Sequence, residues 1–342
     1  MQTKVLRTDT PAQREQAVKE AAALLRQGQI VGIPTETVYG LGANALDERA
    51  VASIFVAKGR PQNNPLIVHI ADFSALSEVV SSVDDVRRRL TERFWPGPLT
   101  VIFPKGEKIP LTVTAGLSTV AVRMPSHPLA RDIIREAGVP VAAPSANLSG
   151  KPSTTTASHV FADLNGKIPL IVDGGSCDVG VESTVVSVKE NTITVLRPGG
   201  ITVEMLREAL PDADVTVSDA VLHPLKAGEQ APSPGMMYKH YAPNAKVLLC
   251  EGTKEKIAAF ADTFQGKNAV FIGDASACAA VRIDTFPFAD GADEAKQIFD
   301  DLRLADEKGY DFVIVAEADC KGIGLAINNR LLRAAGFDVI SL

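Results

Sequence analysis

The stretch 58-KGRPQNNPLIVHI-70 joins a polar loop directly to an apolar segment that carries a histidine. Lys58, Arg60 and two adjacent asparagines precede LIVHI, which has the apolar, β-branched composition of a short strand. A solvated loop does not need this concentration of cationic and amide side chains. Because ligand sites of α/β folds are built from loops at strand ends, the stretch favours an anion-binding site beside a buried strand.

Further polar clusters stand at the ends of apolar segments on both sides of this stretch. They are PTETVYGLG after the segment 29–33, STVAVRMPSHP, APSANLSGKPSTTT, GVESTVV and LRPGG. Between them lie segments with helical periodicity, such as 81–95, whose apolar positions are Val83, Val86, Leu90 and Phe94. This irregular mixture of strands and helices predicts a mixed sheet with helices packed on it.

The clusters contain the side chains that proteins use to bind phosphate and carboxylate groups. Arg60, Arg123 and Arg197 can each make two parallel hydrogen bonds to an anion. Each cluster residue also has a structural explanation: Arg123 as half of a buried ion pair, His69 as a core histidine, Glu36 as the partner of a nearby cation, and the serines as helix caps. Taken together, the cations and hydroxyls favour an anion site.

Length and composition are typical of a two-domain globular protein. The chain has 342 residues, of which 46% are hydrophobic and 22% charged, with a net charge of −6. Residues 1–205 hold 21 Lys/Arg against 20 Asp/Glu, whereas 206–342 hold 14 against 21, so we expect an anionic ligand to meet the first part. Four scattered cysteines, a polar N-terminus and the absence of long apolar runs predict a reduced, cytoplasmic protein without a membrane span.

Changes in composition and periodicity divide the sequence into three segments. Residues 1–205 form the mixed α/β part, 206–243 a proline-rich extended linker, and 244–342 a small parallel α/β domain of Rossmann-like build. The linker contains aromatic residues that a pure spacer does not need. An extended segment of about 35 residues can span about 100 Å. We therefore expect 232–243 to fold back over the predicted anion-binding site as a lid that keeps water out.

The common nucleotide and hydrolase signatures are missing. There is no GxxxxGK[ST] motif, no HExxH and no GxSxG, and GLGANA at 40–45 lacks the preceding strand and the following acidic residue of a dinucleotide site. Close backbone packing is the better explanation of those glycines. An enzyme with this sequence would work through positioning and charge stabilisation.

Taken in order, the clusters resemble the Sua5/YrdC family, the threonylcarbamoyl-AMP synthases of the tRNA t6A pathway. The resemblance rests on PTETVYGLGANA, KGRPQNNPLIVHI, FWPGPLTVIF, VAVRMPSHP, PSANLSGKPSTT, GVESTVV and LRPG, between about residues 12 and 201. SPGMMYKHYAP resembles the linker motif of the long, Sua5-type members, and the acidic C-terminal part resembles their second domain. Met237 stands where many relatives carry lysine.

The resemblance implies a fold, an activity and partners. The fold would be α/β, a YrdC-like twisted mixed sheet with helices around a concave cavity, plus the smaller Rossmann-like C-terminal domain. The enzyme would join L-threonine, bicarbonate or CO2 and ATP into L-threonylcarbamoyladenylate, releasing pyrophosphate, with Mg2+ on the ATP. A separate t6A transferase complex would act downstream on A37 of tRNA, and a weak contact with tRNA is a further expectation.

The resemblance also assigns site residues by motif position. L-Threonine would be bound by Thr37, His69, Arg123, Ser183 and the backbone of Ala143. ATP would be bound by Lys58, Arg60, Asn64, Thr119, Ser145, Ser153, Arg197 and Tyr241, with weaker expectations for His240 and Lys239. Lys58 and Arg60 would be the catalytic cations beside the triphosphate, and the motifs identify no protein ligands for the metal.

Two other functions remain open at this point. An RNA-binding module would use the basic concave surface, although the chain lacks a stripe of cations with interleaved aromatic residues. A carbamoyl transferase is the second alternative, because YrdC-like domains occur in hydrogenase-maturation enzymes. The chain has no CxxC motif and no region resembling the other domains of those enzymes.

Overall fold

Two sheets organise residues 2–224 and 240–342, which are the residues that the computed structural model describes. Within these ranges the first sheet has eleven strands: β1 (Lys4–Arg7), β2 (Val31–Ile33), β3 (Gly40–Asn44), β4 (Ile67–His69), β5 (Leu99–Pro104), β6 (Thr119–Arg123), β7 (Val141–Ala142), β8 (Leu170–Asp173), β9 (Thr184–Lys189), β10 (Thr192–Arg197) and β11 (Asp214–Val217). The second sheet has five: β12 (Lys246–Glu251), β13 (Ala269–Asp274), β14 (Asp284–Phe288), β15 (Phe312–Ala316) and β16 (Val339–Ser341).

The two sheets differ in strand direction. The first has the order β1-β8-β2-β3-β7-β4-β6-β5-β9-β10-β11 and is mixed, with parallel pairs such as β4/β6 and antiparallel pairs such as β5/β6. The second has the order β14-β13-β15-β12-β16, and all its neighbours are parallel. This confirms the predicted fold class. We call the first sheet with its helices the N-terminal domain and the second the C-terminal domain.

The helices lie where the local sequence provides start and stop signals. They are α1 (Pro11–Arg26), α2 (Glu48–Lys58), α3 (Leu76–Val79), α4 (Asp85–Phe94), α5 (Leu111–Thr114), α6 (Pro128–Ala137), α7 (Ala157–Leu164), α8 (Val203–Ala209), α9 (Lys254–Asp262), α10 (Ala275–Ala280), α11 (Gly291–Glu307) and α12 (Gly324–Ala335). Thr10 and Gln13 form a capping box at the start of α1. At the end of α2, Gly59 adopts the left-handed conformation (φ 63°) that turns the chain into the cationic loop.

Two sequence expectations about elements need correction. The predicted linker from 206 begins too early, because α8, β11 and the 3-10 turn Asp219–Val221 extend the N-terminal domain. Val215 and Leu206 are buried in its core, so this part is held by packing rather than extended. The remaining linker residues 225–239 lie outside the described residues.

The glycine-rich stretch 40–45 is a strand as well as a site of close packing. It forms β3, which pairs with β2 and β7. A Cβ on Gly42 would lie 2.9 Å from Val141, so a larger residue would push the neighbouring strand away. Low strand propensity of glycine explains why the sequence did not predict β3.

No helix in the described part of the chain is long and apolar enough to span a membrane.

Candidate active site

A cavity opens at the ends of β4 and β6 on one face of the first sheet. Its empty space, including the open mouth, is about 530 Å³. Nine of the residues predicted from the sequence line it: Thr37, Arg60, His69, Ala143, Arg123, Ser145, Ser183, Arg197 and Tyr241. The remaining lining residues include Thr35, Tyr39, Glu182 and His240.

Strand register brings the amino-acid side of the predicted site together. His69 of β4 is the pairing partner of Arg123 on β6, and Arg123 pairs in turn with Thr100 on β5. Residues directly opposite each other on neighbouring strands project from the same face. The three side chains therefore form a row across the sheet beside the cavity.

Arg123 is both half of a buried ion pair and part of the cavity wall. Its NH2 lies 2.7 Å from Oε1 of Glu36, and its NH1 donates a hydrogen bond to Oγ1 of Thr37 at 2.8 Å. Burial acts to raise the pKa of Glu36. The charge of Arg123 and the hydrogen bonds to the carboxylate outweigh this effect, so the net pKa is lowered and the carboxylate is ionised. The guanidinium is thus fixed in place at the cavity wall.

His69 is buried and neutral. Removal from water, reinforced by the charge of Arg123, lowers its pKa to about 3. Its Nδ1 has no hydrogen-bond partner among the described residues, although a buried polar atom usually has one. The core-histidine interpretation and the ligand interpretation are therefore compatible, since this buried side chain also lines the cavity.

Two more predicted residues meet in the cavity wall next to this row. Arg197, at the end of β10, donates from NH2 to Oγ of Ser183 at 3.1 Å and from Nε to the Ser183 carbonyl at 3.1 Å. The Ser183 hydroxyl also lies 2.8 Å from Oγ1 of Thr100. Ser183 is held by an arginine and a threonine, neither of which is a general base for a serine nucleophile.

Arg60 is the cation of the opening stretch that reaches the cavity. It is 8% exposed, its NH2 donates to the Pro65 carbonyl at 3.3 Å, and no carboxylate among the described residues forms an ion pair with it. Burial lowers its pKa to about 10, which still leaves it charged at neutral pH. A buried cation without a protein counter-ion is costly unless an anion binds beside it.

Lys58 lies behind the cavity rather than in its wall. Its Nζ donates to the Ser145 carbonyl at 2.5 Å and to the Asn147 carbonyl, and burial holds its pKa well below the usual range. In this structure Lys58 thus supports the loop that carries Ser145, and its expected contact with triphosphate stays a prediction.

Three further predicted residues do not line the cavity, and one lies outside the described chain. Asn64 is buried beside the Arg60 loop, and its Oδ1 has no partner among the described residues. Thr119 begins β6, four residues before Arg123 and hence about 13 Å away along the strand. Ser153 donates to Glu182 at 2.5 Å from one layer behind the wall. Lys239 is outside the described residues.

Comparison with known protein families gives two adjoining matches along the chain. A family model described as "Telomere recombination", for the Sua5, YciO and YrdC proteins, matches residues 23–199. A second, described as "Threonylcarbamoyl-AMP synthase, C-terminal domain", matches residues 201–336. The chain belongs to the Sua5/YrdC family.

Relatives within the Sua5/YrdC family are similar along nearly their whole length. The threonylcarbamoyl-AMP synthase of Pyrococcus abyssi (strain GE5 / Orsay) is 44% identical over 337 residues, 96% of either chain. That of Bacillus subtilis (strain 168) is 46% identical over 348 residues, 97% of either chain. The crystal structure of P. abyssi Sua5 complexed with L-threonine has a TM-score of 0.91 at 42% identity and covers 100% of both chains.

In this Sua5/YrdC protein the described end of the predicted lid reaches the cavity. His240 and Tyr241 line the wall, whereas 232–239 lie outside the described residues. Tyr241 is 1% exposed and has a left-handed backbone (φ 65°), which costs a non-glycine residue roughly 1–3 kcal/mol. Its ring packs against Phe299 of α11, with centroids 5.2 Å apart. The C-terminal domain therefore holds this residue at the cavity.

The sequence reasoning missed the acidic and C-terminal part of the site. Glu182 lines the cavity and is bound by Arg330 of α12, which is fully buried. Glu182 stands in the quoted block GVESTVV, so its position was visible but its partner was not. For Arg330 a signal existed: it shares a helical face with Ala326, Ile327 and Ala334, an apolar pattern that predicts burial of the arginine.

Proposed function

We propose that this protein is a threonylcarbamoyl-AMP synthase, which forms L-threonylcarbamoyladenylate and pyrophosphate from L-threonine, bicarbonate or CO2, and ATP. The observation that carries the proposal is the cavity itself, where three buried arginines, Arg60, Arg123 and Arg197, surround a neutral His69. Such a site fits the joining of several anionic reactants. Membership of the Sua5/YrdC family supports the same reaction.

L-Threonine is assigned to the side of the cavity with Arg123 and His69. The guanidinium, held by Glu36 and Thr37, binds the threonine carboxylate without having to reorient. With a pKa of about 3, His69 is too weak a base to take a proton from the amine at neutral pH. We assign it a hydrogen bond that orients the amino acid, with Ser183 completing the pocket.

ATP is assigned to the side with Arg60, Arg197, Ser145 and Tyr241. Arg60 and Arg197 meet the phosphates, because guanidinium groups pair with phosphate oxygens in two parallel hydrogen bonds. Tyr241 packs against the nucleotide from the direction of the C-terminal domain. Lys58 acts indirectly, through the Ser145 loop.

The reaction then needs positioning rather than a nucleophilic side chain. The threonine amine attacks the carbon of CO2, and the zwitterionic adduct releases a proton to water and becomes the carbamate. An oxygen of the carbamate attacks the α-phosphorus of ATP, the bond from this phosphorus to the bridging oxygen breaks, and pyrophosphate leaves. Correct placement of two reactants can contribute about 7–11 kcal/mol to lowering a barrier. Arg60 and Arg197 stabilise the charge that develops on the phosphoryl oxygens.

Magnesium is proposed as part of the substrate MgATP. No group of three or more candidate metal-binding side chains occurs among residues 2–224 and 240–342. The two carboxylates nearest the site, Glu36 and Glu182, are each engaged by an arginine. These side chains do not fit a protein cage for Mg2+, and no step is assigned to one.

We also propose a cytoplasmic location, a t6A transferase complex that takes up the product, and at most a weak tRNA contact. These proposals rest on the instability of a mixed carbamic–phosphoric anhydride in water. Because such a product hydrolyses, the next enzyme has to use it quickly and in the same compartment. The RNA-binding and carbamoyl-transferase alternatives share the cavity but not the dependence on threonine.

The test measures pyrophosphate release from MgATP by the purified full chain. We expect release only when L-threonine and bicarbonate are both present, and at least a hundredfold less when either is omitted. Arg123→Ala serves as a site control, and threonine should no longer stimulate pyrophosphate release by this variant. Release that is unchanged without threonine would refute the proposal and favour one of the alternatives.

A further inference from the structure

Arg330 of α12 crosses from the C-terminal domain to the back of the cavity wall. Its Nε donates to Oε2 of Glu182 at 2.7 Å, and its NH2 donates to the carbonyls of Pro198 at 3.0 Å and of Glu182 at 3.4 Å. Glu182 precedes Ser183 and Pro198 follows Arg197. One side chain of the C-terminal domain thus holds the chain segments that carry both of these cavity residues.

The partner of Arg330 is a carboxylate in the wall of an anion-binding cavity. Burial acts to raise the pKa of Glu182, but the charges of Arg330 and Arg197 together lower it to about 2. Oε1 of Glu182 also accepts a hydrogen bond from Ser153 at 2.5 Å. A negative charge here would repel a triphosphate and compete for Arg197, unless another cation compensates it.

We propose that Arg330 is a positioning residue for the nucleotide half of the site, which neutralises Glu182 and fixes the segments of Ser183 and Arg197. This gives the C-terminal domain a part in binding the triphosphate, in addition to carrying the linker. The proposal deepens the proposed function and rests on it, since the ligand is ATP.

A second arginine of the C-terminal domain supports the same wall. Arg303 of α11 donates from Nε to the Ser153 carbonyl at 3.1 Å and from NH2 to the Pro152 carbonyl at 2.5 Å. It also forms a buried ion pair with Asp163 at 2.9 Å. The C-terminal domain therefore holds both Glu182, through Arg330, and the loop that offers Ser153 to Glu182, through Arg303.

The experiment measures binding of ATP and of L-threonine separately, by titration calorimetry on the full chain. Arg330→Met keeps the volume and removes the charge; we expect the Kd for ATP to rise at least tenfold and the Kd for threonine less than threefold. Adding Glu182→Gln to Arg330→Met should recover at least threefold of the loss, because the uncompensated carboxylate is gone. Equal weakening of both ligands, without recovery, would mean a merely structural role and would overturn the proposal.

Arg333→Met is the matched control on the same helix. Arg333 is also buried, at 2% exposure, but donates to the Ala220 carbonyl at 2.9 Å rather than to Glu182. We expect its ATP affinity to stay within threefold of the wild type. An equal loss of ATP affinity in both methionine variants would overturn the specific role of Arg330.

Single Glu182→Gln decides the question if Arg330→Met does not fold. With the carboxylate neutral and Arg330 present, ATP should bind at least threefold more tightly; unchanged or weaker binding would contradict the proposal. A wild-type protein that binds both ligands but releases no pyrophosphate would refute the proposed function and leave these affinity ratios measurable.

Discussion

His69 and Arg60 are both buried in the cavity wall, but burial affects their chemistry differently. The imidazole becomes neutral, with a pKa of about 3, whereas the guanidinium remains charged although its pKa falls to about 10. His69 can therefore offer only hydrogen bonds, and Arg60 offers charge. We therefore propose that His69 orients the amino acid and that Arg60 meets the phosphates.

Alanine substitutions at these two positions should separate the substrates. His69→Ala should raise the KM for threonine about fivefold with little change for ATP, because one buried hydrogen bond is worth about 1 kcal/mol. Arg60→Ala should raise the KM for ATP more than that for threonine. Steady-state kinetics with each substrate varied in turn measures both. The same pattern in the two variants would contradict the division of the cavity.

The neutral state of His69 also predicts a pH dependence of stability. Its pKa is near 6.5 in the unfolded chain and about 3 in the folded one, so acid favours unfolding below pH 6.5. Between pH 7 and pH 5 this single group should lower the free energy of unfolding by about 2 kcal/mol. Urea unfolding of the wild type and of His69→Gln at the two pH values tests this. The wild type should lose more stability than the variant, and an equal loss would mean that His69 is charged when folded.

The loop between β8 and β9 is one of the elements through which the two domains are in contact. Gly180 in this loop lies against α11 so closely that an added Cβ would overlap the Cα of Lys296. Gly175 in the same loop has a similar left-handed backbone, φ 84° against 79° for Gly180, but nothing lies within 4 Å of its Cβ position. The pair separates backbone strain from packing between domains.

Alanine at the two glycines should therefore differ in effect. Gly175→Ala should cost about 1–2 kcal/mol through backbone strain alone. Gly180→Ala should cost about 1–3 kcal/mol more through overpacking, and it should weaken ATP binding because Glu182 lies two residues further along. Chemical unfolding and ATP titration of both variants provide the comparison. Equal stability of the two would mean that the contact with α11 is loose.

Local signals in the sequence predicted the elements that do not depend on neighbours. The helical segment predicted within 81–95 is confirmed as α4, and the strand predicted in LIVHI is confirmed as β4. β3 is rich in glycine, and β7 has only two residues, so both owe their conformation to the strands beside them. For the same reason, the pairing of His69 with Arg123 could not be read from the sequence.

The complete cavity belongs to both domains. The residues from the N-terminal domain stand in motifs, and eight of those predicted line the cavity. The pairing of Glu182 with Arg330 was not predictable, because these residues are 148 positions apart and only the tertiary fold brings them together. Each residue of this buried ion pair depends on the other, since the loss of one partner destabilises the protein by about 3–5 kcal/mol.

The central claim is that carbon from bicarbonate becomes the bridge between threonine and AMP in this cavity. Mass spectrometry of the reaction with [13C]bicarbonate, L-threonine and MgATP tests it most directly. We expect a product with the mass of L-threonylcarbamoyladenylate that is heavier by about one mass unit than the product from ordinary bicarbonate, because a single carbon is incorporated. A product without the label, or AMP and pyrophosphate formed with no adduct in a rapidly quenched reaction, would contradict the account.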